Sequence, residues 1–132
     1  AAGYVVEETM ILPDEAKALK AQLIRLADGR QVNLILTTGG TGFSPRDITP
    51  EATCAVADRN APGIAEAMRD HSLSITPRGM LSRGVSVLRS KTLIVNLPGS
   101  PKAVQENLEY ILPSLEHGVR IAAGLDGECA RK

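Results

Sequence analysis

The residues best suited to chemistry form one run, Thr37-Thr38-Gly39-Gly40-Thr41-Gly42-Phe43-Ser44-Pro45-Arg46-Asp47-Ile48-Thr49-Pro50-Glu51. Glycines let backbone N–H groups come close to a ligand, and a following helix start adds free N–H groups and positive potential. The stretch Thr38, Gly39, Gly40, Thr41 and Gly42 can therefore hold an anion such as a phosphate. A tight loop with no ligand has the same composition, and the spacing fits neither a Walker A loop nor the Rossmann fingerprint. The segment Asn96-Leu97-Pro98-Gly99-Ser100-Pro101 repeats the arrangement, so a second helix N-terminus can face the same crevice. Taken alone, that segment reads as ordinary turn chemistry.

Two carboxylates accompany these loops. Asp47 lies inside the glycine run and Asp14 follows Pro13. If both project from the carboxyl edge of a sheet, they can hold a hydrated Mg²⁺ against substrate phosphates. Each also has a structural alternative: Asp14 as a helix N-cap, Asp47 as a partner of Arg46 or a cap of its loop. Ser82, in Met80-Leu81-Ser82-Arg83, together with Arg78 and Arg83 can receive a phosphate, while solvated surface charge is the simpler reading. His71 and His117 have no partner at ligand or triad spacing, and Cys54 and Cys129 have no metal-ligand spacing and read as free thiols.

The elements that must position these groups follow from periodicity. Tyr4 to Leu12 favours a strand ended by Pro13-Asp14, and apolar residues from Ala16 to Ala27 recur at helical spacing until Asp28-Gly29. Leu34-Ile35-Leu36 reads as a strand buried on both faces, as a parallel sheet requires. Thr49-Pro50 starts a helix with Thr as N-cap and Pro in the first turn; a second helix runs from Pro62 to about His71. Arg78 to Arg83 is loop. Val85 to Leu88 and Thr92 to Leu97 are short strands joined near Ser90-Lys91, and the pair is antiparallel in this reading. Ser100-Pro101 opens a long amphipathic helix that Pro113 should kink or divide. Alternating strands and helices give a layered α/β domain over residues 1–125, with a polar tail at 126–132. In such folds ligands sit outside the carboxyl ends of the strands.

With 132 residues, 43% hydrophobic and 23% charged, the chain suits one globular domain; aromatics at 2% leave an aliphatic core of Leu, Ile, Val and Ala. Fifteen basic residues balance fifteen acidic ones, which removes overall charge as an argument for nucleic-acid or anionic-membrane partners. An anionic ligand must be held locally. No apolar run reaches membrane-spanning length, so a soluble cytoplasmic protein is the expectation.

Residues 37–53 resemble the signature of the molybdopterin adenylyltransferases, the group that includes bacterial MogA and the G domains of gephyrin. Leu12-Pro13-Asp14-Glu15, Ala61-Pro62-Gly63, Ile75-Thr76-Pro77, Met80-Leu81-Ser82-Arg83 and Asn96-Leu97-Pro98-Gly99-Ser100 follow in family order, to about His117. Related domains of the MoeA and CinA type lack the Pro-Arg-Asp-Ile-Thr-Pro-Glu continuation. The resemblance implies a three-layer α/β/α sandwich around a mostly parallel sheet with one antiparallel strand. It implies that molybdopterin and Mg·ATP react to adenylyl-molybdopterin and pyrophosphate. Asp14 and Asp47 match the family's catalytic, metal-holding aspartates and Ser82 a molybdopterin-site serine. Gly39 to Gly42 and Pro98 to Ser100 should line the crevice. A homotrimer is the implied assembly. Because the attacking phosphate is already mostly ionised near neutral pH, a strong general base is unnecessary; alignment and charge neutralisation suffice. Family members normally begin with a strand, a Ser-Asp loop and a helix, so Ala1-Ala2-Gly3 is expected to be the tail of that helix, with very roughly 30 residues before it. A non-catalytic pterin-binding or carrier module, and a purely structural assembly unit, are the alternative functions.

Overall fold

A computed structural model of the chain describes residues 3–125; the expected polar tail and Cys129 lie outside the described residues. Helix α1 spans Ala16–Ile24 and continues as a wider π turn, Arg25–Gly29. Strand β1 (Leu34–Thr38) leads into the glycine loop and helix α2 (Thr49–Val56). A two-residue strand β2 (Arg59–Asn60), helix α3 (Pro62–Ile75) and a 3-10 turn (Pro77–Leu81) come next. Strands β3 (Ser86–Arg89) and β4 (Thr92–Leu97) precede helix α4 (Pro101–Ala122).

The sheet order is β1-β4-β3-β2. β1 runs parallel to β4 with Leu34 opposite Leu93 and Thr38 opposite Leu97, whereas β3 is antiparallel to both β4 and β2. Three strands thus point one way and β3 alone opposes them, the expected mixed sheet. Alternation along β4 builds the layers, because successive side chains point to opposite faces. Leu93, Val95 and Leu97 pack with Met68 of α3 and with Ile111, Leu115 and Val119 of α4. Ile94 packs on the other face with Leu23 of α1, Ile35, Val56 of α2 and Val87. Burying each such aliphatic side chain contributes about 1.5–3 kcal/mol, so these two clusters fix which helices cover which face.

Five expectations change. The strand buried on both faces is β4, all six residues of which are buried, and not β1. β1 borders the described sheet, so Ile35 is buried while Leu36 is 39% exposed. Tyr4 to Leu12 forms no ladder: no described strand lies beside it, and Ile11 is 99% exposed. Helix α2 begins one residue early, with Ile48 at the N-cap position and no side-chain cap, because the Thr49 N–H is already bound by the Gly40 carbonyl at 3.1 Å. Pro113 does not divide α4, which is continuous through it, and α3 runs on to Ile75. Ser100 caps α4 as expected, accepting from the Ala103 N–H. No helix among the described residues is long and apolar enough to cross a membrane.

Candidate functional site

Parallel pairing puts the carboxyl ends of β1 and β4 side by side, and their chains leave toward different layers, β1 to α2 on one face and β4 to α4 on the other. Such a divergence opens a crevice at the strand ends. Both glycine turns meet there. The Gly39 N–H donates to the Leu97 carbonyl at 3.2 Å, and a Cβ placed on Gly99 would lie 3.4 Å from the Gly39 Cα. Gly40, at φ 70°, leaves no room for a side chain, since a Cβ would overlap the Thr49 hydroxyl at the start of α2. The sequence-predicted residues Thr38 to Gly42 and Pro98 to Ser100 are therefore gathered at one edge, backbone against backbone.

Asn96 fixes the edge from below. It is 2% exposed, and its amide donates to the Thr37 and Thr53 hydroxyls at 3.0 and 3.1 Å while its carbonyl accepts the Val85 N–H at 3.1 Å. One side chain thereby joins β1, β4, α2 and the approach to β3, and a buried group so fully partnered rigidifies what it touches. Ser86 does similar work for α3, donating to the Ala61 carbonyl and accepting the Ala65 N–H. Neither role has a local sequence signal, since the partners are far along the chain.

The two aspartates differ in how they are held. Asp47 Oδ2 accepts the Ser44 N–H at 3.0 Å and the Asp47 N–H returns to the Ser44 carbonyl, so its loop fixes the carboxylate. Asp14 is 57% exposed and meets only the Arg46 guanidinium, at 3.9 Å. That contact brings the Asp14 carboxylate to the guanidinium of the residue preceding Asp47. Among the described residues no group of three His, Cys, Asp or Glu is positioned to hold a metal ion. Carboxylates such as those of Asp14 and Asp47 are of the type that suits Mg²⁺, which keeps several waters and takes further ligands from substrate phosphates.

Arg83 corrects the reading of a phosphate-receiving or merely solvated arginine. Its Nε donates to the Gly42 carbonyl and an Nη2 hydrogen to the Asp47 carbonyl, both at 2.7 Å, and the fork also grips the Glu51 carboxylate. Glu51 is held below the usual carboxylate range by its hydrogen bond to Arg83, with burial opposing. Arg83 is raised by the same pair.

Two hollows flank this arginine. One, of about 210 Å³, lies between α3, the 3-10 turn and the start of α4, and receives Ser82, Gly84, Asn96 and Pro98 with the charged Arg69, Arg78 and Glu106. The other, open and of about 460 Å³, is lined by Asp47, Glu51, Arg83 and the exposed Phe43. Ser82 and Pro98 thus share one hollow and Asp47 borders the other, while Asp14, Thr38, Gly39, Gly40, Thr41, Gly42, Gly99 and Ser100 line neither. His71 stacks on Tyr110 with ring centroids 4.2 Å apart, His117 is exposed on α4, and Cys54 is an exposed free thiol on α2. All three stand outside the crevice's polar network.

Over most of its length the chain is similar to known proteins. The chain is 52% identical over 104 residues to a molybdopterin adenylyltransferase of Haemophilus influenzae, which covers 79% of this chain and 53% of that protein. It therefore spans about half the length of this curated relative. The crystal structure of the molybdopterin biosynthesis enzyme MoaB from Thermus thermophilus superposes with a TM-score of 0.80 at 52% identity, covering 85% of this chain and 70% of that one. A molybdopterin biosynthesis protein from Mycobacterium abscessus gives 0.82 at 35% identity over 96% of this chain and 78% of its own. The family described as a "probable molybdopterin binding domain" matches residues 1–117, and the chain belongs to it.

Proposed function

We propose that this protein adenylylates molybdopterin, using ATP and Mg²⁺ and releasing pyrophosphate. The observation that carries this reading is the contact of two glycine turns at adjacent parallel strand ends, with Asp47 fixed in one of them. A terminal phosphate oxygen of the pterin attacks the α-phosphorus of ATP; that P–O bond forms as the bond to the β-phosphate oxygen breaks and pyrophosphate departs. Two polyanions must be aligned and their repulsion offset, a task for backbone N–H groups and helix starts rather than for a nucleophilic side chain. Gly40 to Gly42, with Gly99 and Ser100, supply those N–H groups, the Gly39 N–H being held by the Leu97 carbonyl, and Ser82 and Pro98 border the hollow that takes the pterin. Asp14 and Asp47 would hold Mg²⁺, which when bound neutralises phosphate charge.

The resemblance in residues 37–53 supports the same substrates, a homotrimeric assembly and a cytoplasmic location. The test is incubation of the full-length protein with molybdopterin, ATP and Mg²⁺, followed by chromatography for adenylyl-molybdopterin. Its formation is the expected result. Pterin binding with no product would instead select a carrier module.

A further inference from the structure

The tripeptide Ser82-Arg83-Gly84 is gripped from two sides. From α3, Arg69 donates to the Gly84 carbonyl at 2.7 Å and to the Ser82 carbonyl at 3.4 Å. From the other side, the Arg83 N–H binds the Thr41 carbonyl at 2.8 Å while its guanidinium binds Gly42, Asp47 and Glu51. The side-chain partners lie between 32 and 41 positions away in sequence. Ser82 and Gly84 line the smaller hollow, and Arg83 itself lines the larger one. The wall between the hollows is therefore also the anchor of the glycine loop.

The geometry points to Arg83, steadied by Glu51, as a positioning residue for Asp47: it locks residues 42–47 to the wall of the neighbouring hollow, so that Asp47 is set correctly only while the lock is closed. The inference rests on the adenylylation reading for its kinetic arm alone. Two backbone carbonyls, each 2.7 Å from the fork, leave the loop little freedom to shift without breaking both bonds at once. Of the five guanidinium N–H groups, four are committed to Gly42, Asp47 and the two Glu51 oxygens, so Arg83 is largely spent before any phosphate arrives. Lysine cannot substitute, because an ammonium lacks the planar fork that serves divergent acceptors. Glu51 sits in the first turn of α2, which gives the fork a fixed base.

The experiment compares full-length wild type with Arg83→Lys and Glu51→Gln by hydrogen exchange, pterin titration and steady-state turnover. In Arg83→Lys, exchange of amides 42–47 should rise about tenfold while α4 stays protected. Its kcat should fall about tenfold with the pterin KM changed less than about threefold. Glu51→Gln should move both in the same direction by about threefold. Wild-type exchange at 42–47 in either variant overturns the proposal. So does a raised KM with unchanged kcat, which would make Arg83 a direct phosphate ligand. If Arg83→Lys loses protection throughout, Glu51→Gln decides, since it must still loosen 42–47 selectively. Absence of turnover in the wild type would sink the adenylylation reading, while the exchange result would still decide the lock.

Discussion

The glycine loop, residues 39–47, and the arm before α1, residues 3–13, are both irregular segments, and the two aspartates lie in the first and just after the second. They are held in different ways. The loop's carbonyls are taken by Arg83 and Thr49, and its Asp47 closes back on Ser44. The arm is tied by surface ion pairs, Glu8 to Arg25 and Arg30 and Glu7 to Arg30. The Tyr4 hydroxyl is buried with no hydrogen-bond partner among the described residues, and its pKa is raised by burial first and by Glu116 second. Backbone carbonyls met by a half-buried guanidinium resist displacement, because losing the donor strands them. Exposed ion pairs are replaced by water at little cost. Irregular backbone can thus be as well determined as a strand, provided that its polar groups are satisfied from distant parts of the chain.

The loop is most vulnerable at Gly40. Gly40→Ala puts a Cβ into the Thr49 hydroxyl at a positive φ, and should destabilise the protein by about 3 kcal/mol. Urea denaturation measures it; an unchanged midpoint would mean that the loop and α2 are not packed as described. Next come the aspartates as a pair. Asp47→Ala removes the acceptor of the Ser44 N–H and should cost about 1 kcal/mol, whereas Asp14→Ala should leave the midpoint unchanged. On the adenylylation reading, turnover should nonetheless fall at least about tenfold in both. Equal stability costs would erase the distinction between loop and arm.

Acid supplies a smaller effect. Glu51 is held below its ordinary value when folded, so the stability it contributes is fully present above the unfolded carboxylate pKa. That contribution is lost as pH falls through the lower folded value. The protection factors of the amides in 42–47, exchange rates corrected for their intrinsic pH dependence, should therefore fall selectively at acid pH, and Glu51→Gln should remove that fall. Least affected is the arm: Glu8→Gln, or added salt, should shift the melting temperature by less than about 2 °C.

The position of the glycine turn could be read along the chain, because glycines between an apolar run and a Thr-Pro helix start mark where the backbone must turn tightly, and Ser100-Pro101 marks its helix directly. The partners of Arg83, Asn96 and Ser86 could not be read that way: most of them lie tens of residues distant, and an arginine in a loop looks alike whether it faces solvent or carbonyls. The burial of β4 rather than β1 escaped for a related reason. Both are apolar runs, and only lateral neighbours determine which one has both faces covered. Tyr4 to Leu12 has strand-forming residues, but a strand exists only where another supplies its hydrogen bonds. The two-residue β2 is too short to leave any periodicity.

The most direct test of the anion-binding crevice is amide chemical-shift mapping of the isotopically labelled full-length protein during titration with Mg·ATP and then molybdopterin. Saturable shifts concentrated on Gly39 to Gly42, Ser82, Gly99 and Ser100 are the predicted result. Shifts centred on Arg25 and Arg30, or none at the two glycine turns, would contradict it.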